Sequence, residues 1–143
     1  MKKLLLIGSV GCGKTTFLQR LQGLDQSYAK TQAIYTQDGI SDTPGEYIDS
    51  MWFKPALQQA STEVDLIVFL QSATSGIAKI PPMFTTFFVK PAIGIVTKTD
   101  IASSEQIAHA REILELTGVK QIYELSSLTG EGFETLISQA LSN

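Results

Sequence analysis

The chain has 143 residues, 43% of them hydrophobic, and a formal net charge of −3 at pH 7, so it is long enough to bury roughly two thirds of its unfolded surface in one core, and a single domain over 1–143 is expected. Two arginines, Arg20 and Arg111, among eleven basic residues leave no broad basic footprint for nucleic acid. One cysteine excludes an internal disulfide and a cysteine-rich metal site, and no apolar run reaches the ~18 residues of a membrane span, which together predict a cytoplasmic protein.

In chain order, apolar runs alternate with segments of helical period, the pattern of an α/β fold whose mostly parallel sheet is covered on both faces. The start resembles an export signal, with two lysines before an apolar run. Leu4 to Ile7 supply only four apolar residues before Gly8, however, where a signal core needs about 7 to 15. Six strands are predicted, at residues 3–7, 33–36, 39–41, 65–70, 92–96 and 121–125. Only Gln37 and Asp38 separate the second and third, which should form a short antiparallel hairpin.

Five helices fall between the strands. The first starts at Gly13 or Lys14 and ends at a glycine stop near Gly23. The second covers 47–60, and the third follows Pro81 and Pro82 through Phe88, since proline suits a first helical turn. The fourth opens on Ser103, with Gln106 as its capping-box partner, and stops at Gly118. In the fifth, Phe133, Leu136, Ile137, Ala140 and Leu141 form one buried stripe.

Gly8-Ser9-Val10-Gly11-Cys12-Gly13-Lys14-Thr15 matches GxxxxGK[ST], the Walker A or P-loop pattern, between a predicted strand and a predicted helix. Its glycines let successive N–H groups curl around a phosphate, and the helix N-terminus adds its dipole. Lys14 bridges β- and γ-oxygens, and the Thr15 hydroxyl goes to Mg²⁺. The fold expected is therefore a three-layer P-loop NTPase. Asp65 stands at the start of its predicted strand, unlike the acid pair that ends a strand in motor and transporter ATPases. Two helical arginines do not suit the arginine-bearing lid of small-molecule kinases.

The acid that ends a strand is Asp42, in Asp42-Thr43-Pro44-Gly45. It can hold Mg²⁺ through a water while the Gly45 N–H reaches the γ-phosphate, so this loop can sense whether that phosphate is present. Thr97-Lys98-Thr99-Asp100 follows another buried strand. The Asp100 carboxylate can accept hydrogen bonds from the ring N–H and amino group of guanine, which adenine does not offer, and the Lys98 stem can lie over the base. Ser126-Ser127-Leu128 can present a backbone N–H to the base carbonyl. The expected binding set adds Gly8, Gly11, Cys12, Gly13, Lys14, Thr15, Thr16 and Thr97 to these residues. Thr31 is chosen as the threonine that closes over Mg²⁺ and the γ-phosphate, with Thr36 as rival.

The set GSVGCGKT, DTPG, TKTD and SSL resembles the small Ras-like GTPases over the whole chain. The chain resembles more closely the EutP/PduV group of ethanolamine and propanediol utilization. This likeness lies in GCGKTT, the Lys30-Thr31-Gln32 triplet, DTPGEY, the TKxD motif and Ser-Ser-x-Thr-Gly-Glu-Gly at 126–132. It implies an association with bacterial microcompartments, with a shell protein, an enzyme or an activator as partner. Against the wider Ras-like pattern, Thr97 stands where the base motif begins with asparagine. Glu46 stands where a glutamine orients water, so that Lys14, Thr31, Gly45 and Glu46 make up the catalytic set. No arginine lies between Gly23 and Asp42 to act as a finger, which implies slow turnover.

Three functions follow from this reading. The first is Mg²⁺-dependent GTP binding with slow hydrolysis, a two-state switch. The second is an ATP-binding phosphotransferase acting on a small metabolite such as acetate, and the third a nucleotide-dependent scaffold that recruits microcompartment partners. His109 with Glu105 and Glu112 is read as a solvated helix face, and Cys12 as a small residue in a tolerant loop position. Met51-Trp52-Phe53 suits a partner surface and the core equally well, whereas Ile77 to Phe88 is read as core in preference to a docking face.

Overall fold

The computed structural model describes residues 4–8, 16–17, 19–20, 23, 62, 64–75, 82–126 and 128–141. The predicted hairpin strands at 33–36 and 39–41, the predicted helix at 47–60, and Met51-Trp52-Phe53 lie outside them.

Four parallel strands form one sheet in the order β1-β2-β3-β4: β1 (Leu4–Ile7), β2 (Leu66–Ser72), β3 (Ala92–Thr97) and β4 (Ile122–Glu124). Leu4 pairs with Leu66, Ile67 with Ala92, and Gly94 with Ile122. Every residue of β1 and β2 is buried. That is why both strands read as continuous apolar runs: a parallel sheet covered on two faces leaves no position for a solvated side chain. β2 runs on to Ser72, two residues beyond the predicted end, because Gln71 and Ser72 still pair with Val96 and Thr97.

Alternation sorts the strand residues onto two cores. Leu4, Leu6, Leu66, Val68, Leu70, Ile93 and Ile95 pack with Phe17, Phe133, Leu136 and Ala140 on one side. Leu5, Ile7, Ile67, Phe69 and Val96 pack with Phe84, Phe88, Ala110 and Leu114 on the other. At Gly94 a Cβ would come within 3.1 Å of Leu114 and 3.2 Å of Val119. The glycine lets the covering helix lie close on β3.

That helix is α1 (Ser104–Leu116), and the capping box forms as predicted. The Gln106 N–H donates to Ser103 Oγ at 3.1 Å, and the Ser103 N–H donates to Gln106 Oε1 at 2.9 Å. Each bond satisfies a donor that the helix start leaves open. Gly118, at φ +102°, follows its end.

Three predicted helices are corrected. Thr16, Phe17, Gln19, Arg20 and Gly23 are helical, so Gly23 is itself helical and not a left-handed stop. Its φ is not positive, and a Cβ there would touch nothing within 4 Å, so nothing calls for a left-handed turn. The segment after Pro82 makes a single 3₁₀ turn, Phe84–Phe87, instead of an α-helix. Met83 is left-handed at φ 61°, and the N–H groups of Met83 and Thr85 donate to Leu116 O (2.7 Å) and Thr117 O (3.0 Å). These donors, which a helix start leaves open, satisfy the open carbonyls at the end of α1 and tie the turn to it. Of its described residues, Phe84 and Phe88 are core, packed against Phe69 at ring separations of 5.9 and 6.4 Å, while Pro82, Met83 and Thr86 are exposed. The last helix begins as α2 (Phe133–Leu136) and widens into a π-helical turn, Ile137–Leu141. Phe133, Leu136 and Ala140 of the predicted stripe are buried and Ile137 half-buried.

Candidate functional site

In a parallel sheet all strand C-termini open onto one edge, and ligands bind in the crevice there. The described candidate residues lie along that edge. Gly8 follows β1 directly and is buried, and Thr16 is exposed on the helical segment that Phe17 anchors in the core. The phosphate-loop pattern thus runs from the end of a strand into a helix. Its residues 9–15, including Gly11, Cys12, Gly13, Lys14 and Thr15, lie outside the described residues, as do Thr31, Thr36, Asp42, Gly45, Glu46 and Ser127.

Thr97 is the last residue of β3 and 2% exposed, and its carbonyl accepts from the Ala73 N–H at 3.0 Å. Lys98, at φ 62°, ψ 34°, is left-handed and half-buried. This bend ends the strand and starts the 3₁₀ turn Thr99–Ile101, which lifts Asp100 to the surface. A non-glycine residue in that conformation is uncommon and costs about 1–3 kcal/mol.

Beyond β4, the Leu125 N–H donates to Val96 O at 2.8 Å, and the Thr99 N–H donates to Leu125 O at 3.3 Å, so the two loops leave the sheet side by side. Fully buried Ser126 then donates from Oγ to Asp100 Oδ1 at 2.8 Å. The same Oγ accepts the Thr129 N–H at 3.1 Å. The loop closes on itself through Ser126 N–H to Glu131 O (3.0 Å) and Gly130 N–H to Ser126 O (2.8 Å). The TKTD and SSL stretches, 26 residues apart at their contact, therefore form one unit. A carboxylate accepts at about four lone-pair positions, and Ser126 engages one of them, orienting a carboxylate that stays exposed.

Two features of this edge were not expected from sequence. The Ser126 N–H is committed to Glu131, so its hydroxyl, not its backbone donor, faces the Asp100 side. Ile101, 66% exposed, and Leu128, 77% exposed, are large apolar side chains on the two joined loops. Their signal was present as apolar residues beside TKTD and within SSL. His109 lies on an exposed face of α1, 3.9 Å from Glu112, and no cluster of metal-ligating side chains occurs among the described residues. No described helix is long and apolar enough to cross a membrane.

Residues 1–142 match the family described as PduV-EutP, ethanolamine utilisation and propanediol utilisation. The chain is 35% identical over 136 residues to the propanediol utilization protein PduV of Citrobacter freundii, a match covering 95% of this chain and 91% of that one. It is 32% identical over 145 residues to the "Probable acetate kinase EutP" of Escherichia coli (strain K12), covering 99% and 91%. Among solved structures, that of SsGBP in complex with GDP has a similar fold, with a TM-score of 0.64 at 14% identity over 96% of this chain and 48% of that chain. At that identity the likeness shows a shared α/β fold. On the match over nearly its whole length, the chain belongs to the PduV-EutP family.

Proposed function

We propose that the chain binds a guanine nucleotide at the strand edge formed by Gly8, Thr97 to Asp100 and Ser126 to Leu128, and hydrolyses GTP slowly as a two-state switch. The observation that carries this reading is the Ser126–Asp100 hydrogen bond at 2.8 Å. It presents an oriented, exposed carboxylate on a pair of joined loops that also carry exposed Ile101 and Leu128. Guanine offers N1–H and N2–H to such a group, whereas adenine turns a bare N1 acceptor toward it. Ile101, Leu128 and the Lys98 stem supply apolar cover for the ring, and the N–H groups of residues 127 and 128 serve its carbonyl.

On this reading Gly11, Gly13, Lys14 and Thr15 hold the phosphates, while Thr31, Gly45 and Glu46 answer to the γ-phosphate. The hydroxyls of Thr15 and Thr31 and the Asp42 carboxylate are hard oxygen donors suited to Mg²⁺, which neutralises phosphate charge when bound. The family's description, ethanolamine and propanediol utilisation, supports tying the switch to that metabolism, and the partner proposed is a microcompartment shell protein or enzyme.

Competitive binding of GDP and ADP to wild type, Asp100→Ala and Asp100→Asn tests the assignment. Wild type prefers GDP, and Asp100→Ala loses about 10- to 100-fold in GDP affinity, the worth of a hydrogen bond to a charged group. Asp100→Asn shifts preference toward xanthosine diphosphate, whose C2 carbonyl accepts from the new amide. Equal affinity for both purines, unmoved by the substitutions, overturns the reading.

A second reading, ATP-dependent phosphorylation of acetate, draws support from the name of the Escherichia coli relative. Formation of acetyl phosphate from ATP and acetate by the purified chain, with no guanine preference, selects it over the first.

A further inference from the structure

The base-recognition loop is braced from below by the helical segment that follows the phosphate-loop pattern. Phe17 is fully buried and its ring stacks on Phe133, 5.6 Å between centroids at 29°. Arg20 lies three residues on, hence on the same helix face. Gly130, three residues before Phe133, sits at φ +84°, and a Cβ there would lie 2.4 Å from Arg20 Nη2, 3.1 Å from Cζ and 3.2 Å from Nε. The guanidinium thus occupies the space that a side chain at 130 would need. Arg20 Nε is buried without a hydrogen-bond partner, so contact with the loop, not a bond from that nitrogen, seats it.

The consequence runs through the loop's own hydrogen bonds. Gly130 N–H holds the Ser126 carbonyl, and Ser126 Oγ holds Asp100. We propose that Arg20 is a positioning residue for base recognition. By supporting Gly130 it sets the height at which Ser126 meets Asp100, without touching the nucleotide. The inference rests on the guanine reading of that carboxylate.

Inosine diphosphate lacks the exocyclic amino group of guanine, so the ratio of GDP to IDP affinity reports Asp100 alignment. The ratio of GDP to GMP affinity reports the phosphate site. Arg20→Ala is expected to lower the first ratio roughly three- to tenfold, the range for groups coupled through shared contacts, and to leave the second unchanged. Arg20→Lys, which keeps the charge but not the planar fork, should restore the first ratio only in part and covers the case in which Arg20→Ala does not fold. Gly130→Ala should lower it as well, and the Arg20→Ala/Gly130→Ala pair should lose less than the product of the singles because the clash is gone.

An unchanged GDP/IDP ratio in Arg20→Ala and Arg20→Lys, or a parallel fall in both ratios, overturns the proposal while leaving the guanine reading intact. A wild type with no GDP over IDP preference overturns both.

Discussion

At the scale of single residues, the site depends on which atom each motif contributes. Ser126 shows this best: its hydroxyl receives the Thr129 N–H and donates to Asp100 at the same time. Ser126→Ala is expected to leave Asp100 without its orienting donor and Thr129 without its acceptor. GDP affinity should fall by about tenfold in a calorimetric titration, with Ser126→Thr recovering most of it. A Ser126→Ala variant with wild-type affinity would show that the backbone alone orients Asp100. The residue types were legible in the sequence. The division of labour between the Ser126 hydroxyl and its N–H was not, because it depends on where Glu131 O lies after the loop closes.

Among the elements, those specified by local chemistry came out as read, and those that depend on a neighbour did not. The capping box of α1 needs only Ser103 and Gln106, three residues apart, so short-range spacing sufficed. The segment after Pro82 carries signals for a helix start, yet its N–H groups go to the end of α1. That exchange joins residues more than thirty positions apart, and no local pattern records it. Gly118 is the hinge of the junction. Its φ of +102° favours glycine, and a Cβ would clash with Thr85 Oγ1. Gly118→Ala should therefore cost about 1–3 kcal/mol, read as a lowered denaturation midpoint. GDP affinity should hold, since Gly118 lies just before β4, away from the edge where the strands end. Loss of nucleotide binding in a folded Gly118→Ala chain would contradict that separation.

For the molecule as a whole, four parallel strands bring the ends of β1, β2, β3 and β4 to one edge. Among the described candidates, Gly8 and Thr97 to Asp100 follow or end strands at that edge, and Ser126 meets Asp100 there for that reason. Without an arginine between Gly23 and Asp42, and with an arginine finger worth about 10³- to 10⁵-fold in rate, purified chain should hydrolyse GTP at about 10⁻² per second or slower. Single-turnover phosphate release checks this, and turnover at several per second without a partner would overturn it. Of the two arginines, neither serves the γ-phosphate on this account. Arg111 pairs with Glu124 at 2.8 Å on the surface, and Arg20 supports Gly130.

The sequence by itself determined the α/β class, the strand-to-helix setting of the phosphate-loop pattern, the helix cap at Ser103 and the family resemblance. Each of these is written in short-range spacing or in hydrophobic period. Only the tertiary structure decided that Ser126 grips Asp100, that Arg20 fills the space beside Gly130, and that the turn at Phe84 serves the end of α1. These are contacts between residues far apart in the chain, and their partners are chosen by how the sheet and its two covering layers pack.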